Sequence, residues 1–485
     1  MNTGQKNSFP RTFWTANTIE LFERWSWYGM FMVFALYLTG NTETGALGFS
    51  QEQKGYIMGP LVALLYFLPV ITGAIADRYG YKRVLLVSFV IMASGYASLG
   101  FVSSFASVYF VFFCLAIGAA LFKPVISATI ALTTNKSNSS IGFGIFYMMV
   151  NLGAFIGPIF ASKLRALGWD YVFFMSAGII GLNFVLTLFF YREPVRERST
   201  DPLGIALKKI FGNIITALAD LRFLLFLIII IGFWSMYNQL FYSLPVYIEQ
   251  WMDTSILYNA LDGLSPNMAA AIGTAQGTIE PEMLTNVDAL FIVAFQVLVS
   301  AFVMRFKPLS TMTAGIIVSA IGIGLTFAFR NPFFLFFSIL IFGLGEMATS
   351  PKITEYIGRI APPGKTALYM GASFIPLAGG NFFAGILSGN VYSHFSDKIS
   401  LLKIEVATKG FSIPDISETF TTSDYYSRAC ELFGMDHSAL TNHLWNTYHP
   451  WRIWLIFTGI GLFTALSLFL YDRFLIRPGK KESIM

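Results

Sequence analysis

Charged residues, cysteines and histidines are all scarce in this 485-residue sequence. Only 12% of the residues are charged, about half of what a soluble globular domain carries. The two cysteines and four histidines lack the spacing of a disulfide framework or a metal site. A nucleophile–base arrangement and a phosphate-binding loop are missing as well. The sequence therefore argues against an enzyme, and we predict no catalytic residue, no bound metal and no cofactor.

A basic cluster is also missing, although the formal net charge is +5. Lysines and arginines are spread through short polar segments and do not alternate with aromatic residues. Such a distribution does not form the continuous basic surface that nucleic acids require. A nucleic-acid partner is therefore not expected.

Long apolar runs dominate the sequence instead, and 55% of the residues are hydrophobic. A helix needs about 20 apolar residues to cross the hydrocarbon core of a bilayer. The runs are continuous and do not alternate, which favours helices over the strands of a β-barrel. We therefore predict an all-α membrane protein with twelve spans, at 13–39, 54–76, 83–104, 107–132, 141–164, 170–191, 222–248, 284–304, 309–329, 332–357, 364–395 and 450–473.

The distribution of positive charge predicts the orientation of these spans. Most lysines and arginines lie at the N-terminus, in the loops after even-numbered spans and in the C-terminal tail. Because such residues tend to stay in the cytoplasm, both termini are expected on the cytoplasmic side of the cell inner membrane. A short polar start leads directly into the first apolar run, so no cleavable signal peptide is expected.

The spans fall into two groups of six. Residues 1–191 form the predicted N-terminal bundle, 192–221 a cytoplasmic linker and 222–485 the C-terminal bundle. The middle of the linker, 203–218, reads either as an amphipathic surface helix or as a plain tether, and the tether is the favoured role. Two polar loops are expected outside the membrane, at 249–283 and 396–449. The longer loop is either a small folded cap or a mobile segment.

The six-plus-six arrangement is typical of the major facilitator fold. The segment after span 2 strengthens this interpretation, because it resembles the G-x-x-x-D-R-x-G-x-K/R signature of that superfamily. Its glycines permit a close helix contact and a tight turn, and its charges are expected to hold the ends of neighbouring helices. The signature residues of this conformational loop are Gly73, Asp77, Arg78 and Gly80.

Several ionisable residues interrupt the apolar spans. An uncompensated charge at the bilayer centre costs roughly 2.5–3.5 kcal/mol even on a lenient scale, so these side chains must pair or face a wet cavity. A functional role is the default hypothesis for them. They are Glu20, Glu23 and Arg24 in span 1, Lys123 in span 4, Asp288 near the outer end of span 8, and Glu346 in span 10.

Span 1 gathers polar and aromatic side chains on one stripe. The stripe follows the i, i+3, i+4, i+7, i+8, i+11 spacing of a single helix face, and the Glu20–Arg24 spacing permits an ion pair within the helix. A stripe of this kind is expected to face the protein interior. Its members are Glu20, Glu23, Arg24, Trp27, Tyr28 and Phe31.

These residues resemble the proton-coupled oligopeptide transporters, a family within the major facilitator superfamily. Span 1 is similar to the E-x-x-E-R motif of that family, and spans 4, 5, 7 and 10 carry segments that resemble its further motifs in the same order. The resemblance therefore covers both halves of the chain. The matching residues include Glu20, Glu23, Arg24, Lys123, Tyr147, Asn151, Trp234, Gln239, Glu346, Ser350 and Pro351.

The resemblance implies roles for individual residues. Arg24 and Lys123 are expected to bind the carboxylate of a peptide, because Arg offers a forked pair of donors to such a group. Glu346, with Asn151 beside it, is expected to bind the ammonium group. Three aromatic residues are expected to line the pocket, namely Trp27, Tyr28 and Tyr66. Proton coupling is expected to use the carboxyl groups of Glu20, Glu23 and Glu346.

The chain departs from the family pattern at four positions. The family commonly has Arg where this chain has Phe31 and Glu where it has Asn238, two groups that can pair across an outer gate. Because one charge alone would be stranded, their joint absence is coherent, and Phe31 and Asn238 are expected to seal the outside by packing and hydrogen bonding. Asp288 stands where the family offers Asn, and Ser373 where it offers Trp. Both are expected to face the substrate.

The sequence thus predicts a monomeric symporter that imports di- and tripeptides with protons by alternating access, with the proton gradient as its energy source. Two alternatives stay open. One is the same fold carrying another small amphoteric or anionic solute, and the other is a non-transporting peptide sensor. Proton-driven drug export is disfavoured, because the matched opposite charges suit a zwitterion better than a lipophilic cation.

Overall fold

The computed structural model describes residues 9–135, 138–195, 202–326, 330–362, 365–417 and 419–476. Regular structure in these ranges is helical, and none of them contains a strand. Helices suit apolar runs in lipid, because each helix satisfies its own backbone hydrogen bonds. The predicted all-α fold class is confirmed.

The N-terminal part of the chain supplies six spans and the linker helix. The bounds are α1 Arg11–Thr39, α2 Gln51–Phe67, α3 Pro69–Tyr79, α4 Tyr81–Leu99, α5 Phe105–Thr133, α6 Ser139–Arg165, α7 Trp169–Phe189 and α8 Leu203–Leu218. A 3-10 turn, Thr42–Thr44, follows α1.

The C-terminal part supplies the other six spans and the helices of the two long polar loops. The bounds are α9 Leu221–Tyr237, α10 Gln239–Tyr242, α11 Leu244–Trp251, α12 Ser255–Leu264, α13 Pro266–Ile272, α14 Pro281–Thr285, α15 Val287–Val303, α16 Pro308–Leu325, α17 Phe333–Ile360, α18 Thr366–Ala372, α19 Phe374–Ile386, α20 Tyr392–Phe395, α21 Lys398–Thr408, α22 Thr422–Phe433, α23 His437–Tyr448 and α24 Arg452–Tyr471. Two π-helical turns occur at Leu387–Val391 and Asp472–Ile476.

Ten stretches of helix in the described residues are long and apolar enough to cross a membrane, and α2 with α3 forms an eleventh that bends by 45°. The bend falls where Pro69 begins α3, since proline lacks a backbone N–H and interrupts a helix. The 29-residue α1 is also long enough, but it carries three charges within its apolar part. These stretches and α1 overlap the twelve predicted spans, of which residues 327–329 and 364 lie outside the described residues.

The described residues pack into two compact units. Unit 1 comprises the described parts of Met1–Met30, Leu61–Asp220 and Gly364–Ala378, and unit 2 those of Phe31–Pro60, Leu221–Pro363 and Gly379–Met485. Residues 31–60 thus pack with the C-terminal helices, although they precede the linker. The predicted bundles 1–191 and 222–485 describe chain topology rather than these packing units, and they stay a prediction.

Close helix contacts in unit 1 occur at residues with small side chains. Helix α4 packs on both α5 and α7. A Cβ atom at Gly95 would touch Leu115, and one at Gly118 would crowd Met92. The Ser88 hydroxyl of α4 donates a hydrogen bond to the Gly118 carbonyl at 2.7 Å. The N-terminal spans are therefore held at short separations.

The linker between the two groups of spans is helical over α8. The helix predicted as one alternative for 203–218 is therefore present, and it packs on α3 and α18 within unit 1. Ala217 is buried, whereas Lys208 and Lys209 are exposed. Just after α8, Asp220 accepts a hydrogen bond from the Tyr369 hydroxyl at 2.8 Å.

Unit 2 has its densest packing along α17, which contacts both α16 and α15. A Cβ atom at Gly322 of α16 would collide with the backbone of Phe342, and one at Gly345 of α17 would collide with Gly315. These glycines let two helix backbones touch, which is a common device of membrane helices. The same device joins α2 to α19 and its π-turn, where Gly55 faces Gly385.

The long loop 396–449, which is predicted to lie outside the membrane, contains helices α21, α22 and α23, which pack on one another. Glu405 of α21 is largely buried, with His443 Nε2 2.8 Å from its Oε1 and the Tyr448 hydroxyl donating to its Oε2 at 2.7 Å. Thr421 and Asp424 form a reciprocal cap at the start of α22. Of the two predicted alternatives for this loop, the folded cap is the one observed.

Candidate functional site

Arg24 of α1 lies between two carboxylates inside unit 1. Its Nε is 3.3 Å from Glu20 Oε1 and donates to Glu23 Oε2 at 2.6 Å, and a second guanidinium nitrogen also contacts Glu23. All three side chains are almost entirely buried. The predicted ion pair between Glu20 and Arg24 is confirmed, and Glu23 completes a buried triad.

The polar stripe of α1 separates into two rows in the structure. Glu20, Arg24 and Tyr28, spaced four residues apart, line a cavity. Glu23 and Trp27 form the second row and are buried in the packing, where the Trp27 ring stacks on Phe112 of α5 at 6.4 Å. The two rows follow from the 3.6-residue period of a helix. Residues spaced four apart, such as Glu20, Arg24 and Tyr28, lie nearly above one another, whereas Glu23 and Trp27 are rotated around the helix away from them.

Helix α6 fixes the position of the triad because it packs directly on the α1 backbone. A Cβ atom at Gly153 would meet the Leu21 carbonyl and lie 2.7 Å from Arg24 Cβ, and one at Gly157 would meet the backbone of Gly29. Only glycine fits such an approach. The N-x-G motif of span 5 thus has a packing role beside α1.

Lys123 supplies the second cation of the site from the middle of α5. Its Nζ lies 4.5 Å from the centroid of the Tyr66 ring, a cation–π distance. It lies within the electrostatic influence of Arg24, Glu20 and Glu23, and none of the described carboxylates of unit 1 forms an ion pair with it. Lys123 is therefore the cation of this site that is available to an incoming anion.

These groups surround a cavity of about 720 Å³ in unit 1. The volume is within the range of small-molecule sites, and the mixture of apolar walls with a few polar groups is typical of such sites. Two cations, one carboxylate and three phenols can bind and orient a small solute that carries an anionic group. The polar lining consists of Glu20, Arg24, Tyr28, Tyr66, Lys123 and Tyr147, with Ser127 and Asn213.

Two parts of this lining were not assigned from the sequence. Tyr147 belongs to a motif that was recognised, but its contact with the cavity was not predicted. Ile210, Asn213 and Ile214 come from α8, so the linker helix forms one wall. The amphipathic pattern of 203–218 was a signal for a buried face, although it did not show what that face covers.

Three predicted substrate-binding residues of unit 1 lie outside this lining. Trp27 packs against α5, as described above. The Asn151 amide donates to the Tyr147 carbonyl of its own helix at 2.8 Å, and the Ser373 hydroxyl donates to the Met370 carbonyl at 2.6 Å in the break between α18 and α19. The residues flanking Ser373, Gly371 and Phe374, do line the cavity. A substrate contact for these three stays a prediction.

Asp288 and Glu346 belong to unit 2, on the neighbouring helices α15 and α17. Asp288 is 3% exposed in the first turn of α15. The Tyr237 side chain forms a hydrogen bond with Glu346, and the Asp288 carboxylate acts electrostatically on it. The structure therefore brings these two predicted residues into one group.

The substituted gate positions, Phe31 and Asn238, also lie in unit 2. The Phe31 ring is 6.4 Å from Phe241 and 5.9 Å from Tyr242, so it packs against the aromatic residues of α10. The Asn238 amide donates to the Trp234 carbonyl at 2.8 Å, at the junction of α9 and α10. Phe31 thus packs among rings and Asn238 forms a local hydrogen bond, and their role in an outer gate stays a prediction.

The signature segment forms the junction of α3 and α4 in unit 1. Gly80 has φ 100°, a conformation that favours glycine. The Tyr81 hydroxyl donates to Asp77 at 3.1 Å, and the Tyr81 N–H donates to Glu193 Oε1 at 3.1 Å. The Arg78 guanidinium lies 5.9 Å from the centroid of the neighbouring tyrosine ring.

Two further contacts connect this junction to adjacent spans. A Cβ atom at Gly73 would lie 3.8 Å from Pro124, so α3 approaches α5 beside Lys123. The Lys82 ammonium donates to the Leu188 carbonyl at the end of α7 at 2.9 Å. The conformational loop is thereby linked to both α5 and α7.

Lys54 is a buried cation that the sequence did not single out. It is fully buried in unit 2, donating to Gln51 Oε1 at 2.8 Å and to the Tyr242 carbonyl at 3.0 Å, with its Nζ 5.2 Å from the Tyr392 ring centroid. Gln51 in turn donates to Asp397 at 3.0 Å.

Comparisons with known proteins agree with this fold. A family model described as Major Facilitator Superfamily matches residues 20–280. A dipeptide and tripeptide permease A from Erwinia pyrifoliae is 28% identical over 236 residues, which is 47% of this chain and 45% of the permease. The match thus spans less than half the length of that relative.

Two further similar proteins align over most of this chain. A peptide transporter from Yersinia enterocolitica is 22% identical over 471 residues, covering 79% of this chain and 88% of the relative. A crystal structure of a POT family transporter with a thioalcohol-conjugated peptide superposes with a TM-score of 0.70 at 18% identity, covering 96% of each chain. The resemblance inferred from the sequence motifs is confirmed, and the relatives are transporters rather than enzymes.

Proposed function

Because the chain belongs to the Major Facilitator Superfamily, we propose that it is a proton-coupled symporter that imports di- and tripeptides by alternating access. The names of the relatives described above support peptides as the substrate class. The polar, charged cavity of unit 1 supports a zwitterionic substrate rather than a lipophilic one.

One observation carries this proposal, namely the unequal state of the two cations in the cavity. Arg24 is held by Glu20 and Glu23, whereas Lys123 rests on the Tyr66 ring and has no described carboxylate of unit 1 as its ion-pair partner. An incoming carboxylate binds Lys123 first. Arg24 becomes fully available only when its own carboxylates are neutralised, and this requirement couples substrate to protons.

Protonation of Glu20 or Glu23 is the proposed coupling step. A neutral carboxyl group no longer holds the guanidinium as an ion pair, so Arg24 is released to form a forked pair of hydrogen bonds with the peptide carboxylate. The proton then leaves on the cytoplasmic side with the peptide. Glu346 is the proposed ligand of the peptide ammonium and a further proton-coupling group.

The chain is an integral membrane protein, and we place it in the cell inner membrane with both termini in the cytoplasm. The proton gradient is its energy source, and a bound cofactor has no part in the proposed cycle. The proposed working form is a monomer, whose partners are a small peptide, protons and the lipid bilayer.

The direct test is uptake of labelled dialanine by purified protein in liposomes with an inward proton gradient. We expect accumulation that a protonophore abolishes and that unlabelled di- and tripeptides inhibit. Nitrate and single amino acids are included as competitors. Transport of one of these with no inhibition by peptides would replace the peptide assignment with another solute.

Variants of the triad test the coupling step. Glu23→Gln is expected to lose proton-driven uptake while retaining dialanine exchange across the membrane, because exchange requires no net proton movement. Glu431→Gln, on the exposed face of α22, serves as the matched control. If Glu23→Gln accumulated dialanine as fast as the parent protein, the proton role of Glu23 would be wrong.

A further inference from the structure

Unit 2 contains a pair of acids on two neighbouring helices, Asp288 of α15 and Glu346 of α17. The residue one turn before Glu346 is Gly343, and a Cβ atom there would lie 2.8 Å from Asp288 Oδ1. Any side chain at this position would push the Asp288 carboxylate away. The glycine thus lets Asp288 reach α17 beside Glu346.

Neither carboxyl group is fully satisfied by the described residues. Asp288 Oδ1 and Glu346 Oε2 are buried, and neither accepts a hydrogen bond there. Asp288 is 3% exposed, and Tyr237 is the one described side chain that hydrogen-bonds Glu346. A buried carboxylate without donors is costly. These oxygens therefore call for a proton or a cationic ligand.

Among the described residues, no cation acts electrostatically on Asp288 or Glu346. Helix α16, packed on α17, has no charged residue in its sequence. Glu282 of α14, a helix that contacts α15 and α17, is also buried, and α9 contributes the Tyr237 phenol. Two carboxylates that share an apolar site repel each other, so holding one proton between them lowers the energy.

We propose that Asp288 and Glu346 share one proton, and that a cationic group of the substrate replaces this proton when it binds. The proton is released to water as the ammonium arrives, so the charge of the site stays balanced. The second half of this inference rests on the proposed peptide function. Asp288 is the residue that distinguishes this chain, because the family that it resembles has Asn at this position.

Infrared spectroscopy of the purified full-length protein in lipid tests the shared proton without any substrate. The parent is expected to show the C=O stretching band of a protonated carboxyl group at neutral pH. Asp288→Asn and Glu346→Gln are each expected to lose or shift the band. Asp262→Asn, at an exposed position, is expected to retain it.

The same spectra can overturn the proposal. An unchanged band in Asp288→Asn would mean that Asp288 shares no proton, and absence of the band in the parent would mean that both acids are ionised. Asp288→Glu is the second variant, since it keeps a carboxyl group and is expected to keep the band. Retained thermal stability shows that each variant is folded.

Proton release on binding tests the exchange with the substrate. Calorimetry of dialanine binding in buffers of different ionisation enthalpy counts protons, and the parent is expected to release about one proton more per peptide than Asp288→Asn. N-acetyl-dialanine, which lacks the ammonium, is expected to release none from this pair. Equal release by the parent and Asp288→Asn would reject the exchange.

The two experiments separate this inference from the proposed function. If dialanine failed to bind the parent, the peptide assignment would fall, while the infrared spectra would still decide whether the proton is shared. If dialanine bound and Asp288→Asn matched the parent in both experiments, the inference would fall and the transport function would stand.

Discussion

At the scale of single residues, the geometry around Arg24 depends on the shape of its guanidinium. The group contacts Glu20 and Glu23 simultaneously, and a lysine ammonium cannot reproduce this planar fork. Arg24→Lys is therefore expected to lower proton-driven peptide uptake at least about tenfold, since a lost charge-assisted hydrogen bond is worth about 1.5–3 kcal/mol.

The measurement for Arg24→Lys is initial uptake in liposomes, with the amount of inserted protein determined in parallel. Arg428→Lys, at an exposed position on α22, makes the same chemical change away from the cavity and is expected to transport normally. Equal rates for Arg24→Lys and the parent would show that positive charge alone is sufficient at this position.

At the same scale, we expect Lys54 to stabilise the fold rather than to take part in transport. Its fully buried ammonium donates hydrogen bonds to Gln51 Oε1 and to the Tyr242 carbonyl. Lys54→Ala leaves both acceptors without their donor, and we expect a loss of about 1–3 kcal/mol in the free energy of unfolding. Thermal unfolding in detergent measures the change, with the exposed Lys409→Ala as the control. An unchanged melting temperature for Lys54→Ala would contradict this prediction.

At the scale of helices, the contact of α6 with α1 depends on glycine. A methyl group at Gly153 would collide with the α1 backbone beside Arg24, whereas Gly144 of the same helix faces open space. Gly153→Ala is therefore expected to lower both thermal stability and uptake. Gly144→Ala is expected to be neutral or stabilising by up to about 1 kcal/mol, the helix preference of alanine over glycine. Similar behaviour of the two variants would mean that the contact has no role.

The linker helix α8 makes a second prediction at this scale, because it forms one wall of the cavity. Asn213→Trp adds volume inside the cavity, so uptake of a tripeptide is expected to fall several-fold more than uptake of a dipeptide. Ile215→Trp places the same ring on the exposed face of α8 and serves as the control. Equal losses for both peptides would show that α8 does not limit substrate size.

At the scale of the whole molecule, orientation in the membrane can be tested with cysteine labels. In a background that lacks Cys114 and Cys430, we expect an impermeant maleimide to label Lys409→Cys on intact cells. Lys208→Cys is expected to react only after the membrane is opened, because α8 belongs to the predicted cytoplasmic side. Both positions are exposed, so accessibility on the protein itself does not differ. The reverse pattern would invert the proposed topology.

Much of this molecule was predictable from the sequence because lipid limits the possibilities. Apolar runs predicted the spans, and the cost of buried charge singled out candidate functional residues, namely Glu20, Glu23, Arg24, Lys123, Asp288 and Glu346. The sequence does not specify how far each helix is rotated against its neighbours. For this reason the separation of Trp27 from Tyr28, the approach of Asp288 to Gly343 and the wall formed by Asn213 became visible only in the structure.

The aromatic contact of Phe31 with Phe241 and Tyr242 has a consequence for the conditions in which the protein works. An ion pair weakens as dissolved ions increase, whereas the association of rings depends on water leaving apolar surface and weakens on cooling. A closure built from these rings would therefore respond less to ionic strength than an ion pair does. It would instead weaken on cooling.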